Sequence, residues 1–170
     1  DLAGRGKPYR NDAALRTALS RAWLHYDRAE FTDGLKWART ARQIDEARRD
    51  AAEKGASLPT LFSFSQNDWA RPCECDRCRA LVASEGSESG PVIAFVNELA
   101  ELLAREDLEL WIDTLAYQYT LDPPTRLRAG PEVVVRVSGL HQRDFTLPAS
   151  HPSNGRYAAA VEGWGAHTDH

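Results

Sequence analysis

Three cysteines fall within six residues in the run LFSFSQNDWARPCECDRCRAL, which extends from Leu61 to Leu81. Cys73, Cys75 and Cys78 have the spacing C-x-C-x2-C, and three thiolates from one short loop could hold zinc. A fourth ligand could come from His141, His151, His167, Asp68 or a distant residue. Zinc signatures with two separated cysteine pairs are more specific, and this sequence has no second pair. A disulfide with one thiol left over, or three reduced buried cysteines, accounts equally for the same residues. His167 and His170, in the closing HTDH, also invite a metal, although a polar terminus explains them as well. A Cys–His nucleophile fits poorly, because no glycine-rich elbow or helix start follows the cysteines.

Just before the cysteines stand Asn67, Asp68 and Trp69. An Asn–Asp pair at a strand end could position a substrate hydroxyl and supply a general acid or base. The plainer alternative is that Asp68 caps the turn that follows. Tyr117 and Tyr119, with Trp69 and Trp164, could form platforms on which sugar rings stack; aromatic residues at strand ends also pad cores. Arg136 interrupts a run of valines, with Val134 and Ser138 on its face. A guanidinium so placed calls for a carboxylate, and Asp68 or an acidic sugar is the expected partner, unless the arginine lies on an edge strand and reaches water.

The elements that must position these residues follow from periodicity. Residues 1–10 read as a loop or linker, and residues 11–170 as one α/β domain. A helix is expected from Asn11, with Leu15, Leu19 and Trp23 at four-residue spacing. A second spans roughly Leu35 to Lys54 and stops at Gly55. Leu58 to Gln66 alternates as a strand, and a short helical turn follows the cysteines around Arg79–Leu81. Ser89 can cap a helix that starts near Pro91 and buries Ile93, Val96, Ala100 and Leu103. Leu108–Tyr119 and Glu132–Ser138 read as strands, joined by TLDPPTRLRAGP as either a compressed crossover or a wide hairpin. Asn154–Trp164 reads as a final short helix. This order indicates a largely parallel sheet, in which chemistry collects at the carboxyl ends of strands. Those ends are Gln66-Asn67-Asp68, Tyr117-Gln118-Tyr119-Thr120 and Ser138-Gly139-Leu140-His141, all polar or aromatic where the strand bodies are apolar.

Composition narrows the function. The chain has 170 residues, 42% hydrophobic and 27% charged, with a net charge of −4. That balance is globular, and it supplies no basic excess for nucleic acid. No apolar run is long enough to span a bilayer, and no signal pattern opens the sequence. Methionine is absent, even at position 1, so a processed chain or a fragment is expected.

Taken together, FSFSQNDWARPCECDRCRAL, EGSESGPVIAFVNELAELLA, IDTLAYQYTLDPP and PEVVVRVSG resemble an uncharacterised bacterial family of glycosidase-like TIM barrels, domain-of-unknown-function family 4838. Its members often stand beside an N-terminal domain like that of α-glucuronidases. The family motifs fall on Ser65, Asn67, Asp68, Cys73, Cys75, Cys78, Glu85, Gly86, Ser87, Ser89, Gly90, Phe95, Val96, Asn97, Ala116, Tyr117, Tyr119, Thr120, Pro123, Pro124 and Arg136. The likeness covers roughly Ala38 to Ser138 and weakens beyond, where the family tends to carry a cysteine and this chain has Ser138-Gly139-Leu140-His141. It implies part of a (β/α)8 TIM barrel of the glycoside hydrolase type, completed by the remainder of the parent polypeptide. It also implies a carbohydrate ligand, with export slightly favoured. In the enzymatic version Asp68 is the catalytic carboxylate, while Asn67, Trp69, Tyr117, Gln118, Tyr119, Arg136 and His141 contact substrate. A non-catalytic sugar-binding barrel and a zinc module are the alternatives.

Overall fold

A computed structural model describes residues 42, 44, 46–57, 60–66, 72–105, 110–141 and 145–169, with 102, 105 and 141 described by their backbone. The expected helix from Asn11 and the loop at 1–10 lie outside these residues, as do Asn67, Asp68 and Trp69. The chain divides into two compact units, residues 1–60 with 105–108, and residues 61–104 with 109–170.

In the first unit, helix α1 is helical at 42, 44 and 46–53. Ile44 and Ala51, seven residues apart, are buried on one stripe. Gly55 ends it as expected, with φ at +61°, where a side chain would be strained. Gly55 N–H bonds the Ala52 carbonyl at 3.2 Å and Ala56 N–H the Ala51 carbonyl at 2.8 Å, a paired closure that satisfies two otherwise orphaned carbonyls.

The second unit is built on a sheet of three parallel strands: β1 (Leu61–Ser63), β2 (Trp111–Ala116) and β3 (Val133–Val137), in that spatial order. Helices α2 (Asp76–Glu85) and α3 (Gly90–Arg105) lie between β1 and β2 in the chain, and α4 (Gly155–Gly165) follows β3. The α/β class and the parallel sheet are therefore as the sequence indicated. Helix α2 starts within the cysteine cluster, between Cys75 and Cys78, where no helix start was expected, and it spans ten residues in place of the short turn around Arg79–Leu81. Cys75 caps its start, and Gly86, at φ +64°, ends it by donating to the Val82 carbonyl. Helix α3 buries Ile93, Val96, Ala100 and Leu103, and Leu99 with them. In the strands, Phe62, Ile112, Thr114, Ala116 and Val133 are buried.

Two strands are shorter than their patterns suggested, for identifiable reasons. Beyond Ser63, Phe64 N–H still bonds the Asp113 carbonyl at 2.7 Å. Leu115 N–H then bonds the Ser65 hydroxyl at 2.9 Å instead of a backbone carbonyl, so the ladder stops. After Ala116 the chain curls into a short 3-10 turn at Gln118–Thr120. Thr120 Oγ1 accepts from Tyr117 N–H at 3.1 Å and reaches the Tyr117 carbonyl at 3.0 Å, which folds the backbone away from the sheet.

The link between β2 and β3 is a crossover, since the strands are parallel, and apart from that 3-10 turn it is irregular. Its shape comes from side chains elsewhere. Glu85, 4% exposed, accepts from the backbone N–H groups of Arg126 and Leu127, each at 2.9 Å. Its own carbonyl accepts from Thr125 N–H at 2.9 Å and Thr125 Oγ1 at 2.8 Å. Ser87 and Ser89 both donate to the Asp122 carbonyl at 2.7 Å. Ser89 thus stands at the start of α3 with its hydroxyl committed to the link. Asn97 accepts from Gly130 N–H at 2.9 Å and donates to the Arg128 carbonyl at 2.8 Å. The Trp164 indole donates to the Leu121 carbonyl at 2.7 Å.

Candidate functional site

The carboxyl edge of the sheet gathers part of the expected site. Gln66, following β1, donates to the Tyr117 carbonyl at 2.6 Å. Gln118 donates from its amide to the Tyr117 hydroxyl at 3.0 Å. Gln118 also has φ at +53°, the only left-handed residue other than glycine among those described. That backbone costs a side-chain-bearing residue energy and persists only where its surroundings hold it. Among the described residues, the Gln66 Oε1 atom is buried with no hydrogen-bond partner, as is Thr114 Oγ1 within β2. Tyr117 and Tyr119 are both half-buried. Burial raises the Tyr119 phenol above its ordinary range, and the charges of Glu88 and Cys73 push it the same way. The end of β2, the loop carrying Glu88 and the cysteine loop are thus close enough to act on one hydroxyl.

Among the described residues Arg136 has the carboxylate partner it called for in Asp113; Asp68, the partner expected from sequence, lies outside them. The register sets Ser63, Asp113 and Val134 side by side, with Arg136 beside Leu115. Arg136 reaches Asp113 with two nitrogens, Nε to Oδ2 and Nη2 to Oδ1, and Ser63 Oγ donates to the same Oδ1 at 2.9 Å. The carboxylate side chain is 5% exposed and the guanidinium 58%, so a buried anion is neutralised by a cation that still meets water. Sequence reasoning missed Asp113. Its signal was an aspartate inside the apolar run LELWIDTLA, mirroring the arginine inside VVVRV.

Trp164 is not a stacking platform: it is 3% exposed, and its polar edge is bonded within the fold. Ser138 and His141 follow β3, where Gly139–His141 forms a 3-10 turn. Asn67, Asp68 and Trp69 are not among the described residues, so their expected roles are unplaced.

The three cysteine sulfurs lie within 4.8 Å of one another, and none is in a disulfide. Cys73 is half-buried, Cys75 exposed and Cys78 buried. Cys75 Sγ accepts from Cys78 N–H at 3.5 Å. Burial, then the neighbouring Cys75 and Cys73 sulfurs, push the Cys78 thiol up to about 12. A soft cation that replaces the thiol protons removes that crowding, and the donor set suits one. No fourth His, Cys, Asp or Glu joins the cluster among the described residues. His151 Nδ1 instead pairs with the Ser153 hydroxyl at 2.8 Å, and His167 Nδ1 with the Gly163 carbonyl at 2.9 Å. No helix among the described residues is long and apolar enough to cross a membrane.

Compared with known families, residues 41–170 match the domain of unknown function DUF4838. The match continues past Ser138, where the motif likeness had weakened. No curated protein and no solved structure matches the chain.

Proposed function

The chain belongs to the DUF4838 family, and from that premise we propose that it is a carbohydrate-active domain, resembling a glycoside hydrolase, which binds sugar at the carboxyl ends of its strands. The observation that carries this reading is the left-handed Gln118 between Tyr117 and Tyr119, with the Gln66 and Gln118 amides gathered on Tyr117. Aromatic faces beside amides and hydroxyls suit a ring that is apolar on its faces and polar on its rim. Strain held at such a position is characteristic of binding sites.

In this reading β1, β2 and β3 are consecutive strands of a (β/α)8 barrel, whose remainder the rest of the polypeptide would supply. Asp68 acts as general acid or base, with Asn67 and Trp69 beside it and His141 at the end of β3. Glycoside hydrolysis ordinarily takes two carboxylates. Glu88, whose charge reaches Tyr119, is the described residue to test as the second. Arg136, tied to Asp113, holds that edge of the site in place. Export would suit a polysaccharide substrate.

The test is a panel of glycans and aryl glycosides assayed for binding and for turnover. Asp68→Asn and Glu88→Gln should abolish turnover yet keep binding, and Tyr119→Ala should lose binding. Turnover unchanged in Asp68→Asn would remove that residue from catalysis. Saturable binding without turnover would favour the non-catalytic barrel, and neither would sink the sugar reading.

A second reading is favoured by the cysteine cluster: zinc held by Cys73, Cys75 and Cys78. Elemental analysis of purified protein tests it. Less than about half an equivalent of zinc, unchanged in Cys75→Ser, would remove it.

A further inference from the structure

Cys75 has a second role that its place in the C-x-C-x2-C spacing does not suggest. It is the residue before α2, in extended backbone at φ −66° and ψ 159°, and its sulfur accepts from the N–H of Cys78 in the first turn. The Cys75 carbonyl accepts from Arg79 N–H at 2.9 Å, the first bond of the helix itself. A thiol is a poor acceptor for this duty, since serine, threonine and the Asx residues are the favoured caps. The weakness shows in the 3.5 Å contact. A thiolate bound to a metal remains negative enough to accept an N–H bond, and at a helix amino terminus negative charge is favoured.

The geometry needed for the metal is nearly present already. In a tetrahedral zinc–thiolate centre the sulfurs stand about 3.8 Å apart, from bonds of about 2.3 Å. Here all three are within 4.8 Å. Two of them ride on the start of one helix, so only Cys73 comes from the loop before it.

We infer that Cys73, Cys75 and Cys78 hold a zinc-class cation that serves as the cap of α2, with Cys75 Sγ at once metal ligand and helix cap. This rests on the zinc reading above and adds what the metal does. Three thiolates outweigh the two charges of the cation, so the complex is negative where the helix end favours it. Binding exchanges thiol protons for metal–sulfur bonds, and the protons pass to the buffer. The amides of Arg77, Cys78 and Arg79 gain a stronger, fixed acceptor field.

The experiment titrates the fully reduced chain with Cd²⁺ and, in a separate sample, with Zn²⁺. Thiolate-to-cadmium absorption reads binding, and amide hydrogen exchange reads the first turn of α2. The expected result is an absorption endpoint at one ion per chain, reversal by a chelator, the same stoichiometry for zinc added to a fresh sample, and slower exchange at Arg77–Arg79 in the loaded form. Cys75 is exposed, so Cys75→Ser should fold normally and keep a hydroxyl cap. It should bind cadmium more than about a hundredfold more weakly, beyond the roughly 10–100-fold that loss of an outer-shell partner costs. Its metal-free first turn should exchange no faster than that of the unsubstituted chain. A full absorption endpoint with no slowing at Arg77–Arg79 would overturn the capping role and leave the zinc reading intact. Equal cadmium affinity in Cys75→Ser would remove Cys75 as a ligand and the inference with it. No absorption band at all would end both.

Discussion

The crossover between β2 and β3 and the carboxyl edge of the sheet differ in how completely their buried polar groups are bonded. Around the crossover, Glu85, Ser87, Ser89, Asn97, Thr125 and Trp164 all bond to backbone at ordinary distances. At the edge, Gln66 Oε1 is buried with no partner among the described residues, and Gln118 sits in left-handed backbone. Both regions carry motif residues of the family, so motif content does not separate them. Satisfaction does: buried polar groups are ordinarily bonded, and those left otherwise mark places with another purpose. Glu85, Ser87, Ser89 and Asn97 of the EGSESG and FVN motifs hold an irregular link, and QYT at the end of β2, with Glu88 near it, is where the proposed binding is to be sought.

That contrast can be broken or sharpened by substitution. The largest effect is expected from Glu85→Ala, which strands the Arg126 and Leu127 N–H groups and frees the link; denaturant titration should show the greatest loss of the set. The same carboxylate has a pH signature. The backbone N–H groups of Leu127 and Arg126 hold it below the ordinary carboxylate value. Its contribution is therefore full above the unfolded-state pKa, near 4.3 for glutamate. It is lost as pH falls through the lowered folded value, because the unfolded chain takes up the proton first. Glu85→Gln should flatten the acid limb of a stability–pH curve, and an unchanged limb would show that Glu85 does not hold the link.

Arg136→Ala should cost about 2–3 kcal/mol, because it leaves Asp113 buried with Ser63 alone. That is at the low end for a broken buried pair, since the guanidinium is partly in water. Gly163→Ala should cost about 1–2 kcal/mol by thermal denaturation, although alanine ordinarily favours a helix by about 1 kcal/mol over glycine. Its Cβ would lie 2.9 Å from Cγ of the rigid Pro123 ring in the link. Smallest and opposite in sign is Gln118→Gly, which should stabilise by about 0.5–1 kcal/mol through relief of the left-handed strain. It should weaken glycan binding at the same time, and a stabilised variant that binds normally would separate the strain from function.

Much of the scaffold was legible beforehand. The 3.6-residue period of PVIAFVNELAELLAR marked α3 and its buried face, and VVVRV marked β3, because each pattern is a local consequence of burying one side of an element. The position of Gly55 as a helix stop followed from its freedom at positive φ. The cysteines' closeness was implied by a spacing that leaves them little room to separate. Strand ends were less legible, since Ser65 and Thr120 end the ladders with hydroxyl bonds that a period-two pattern does not encode. The length of α2 was hidden for a similar reason: an apolar stripe hardly exists in DRCRALVASE, and the helix depends on its caps.

By itself, then, the sequence determined the α/β class, the order of elements, the family and the residue types available for chemistry, because these depend on local periodicity and on residues close in the chain. Only the tertiary structure decided that TLDPPTRLRAGP crosses over between parallel strands, that Glu85 and Ser87 hold it, and that Arg136 answers Asp113. Those facts join residues 23 to 42 positions apart. Such pairings are selected by the register of the sheet and by the demand that every buried polar group find a partner, and neither is written in any one segment.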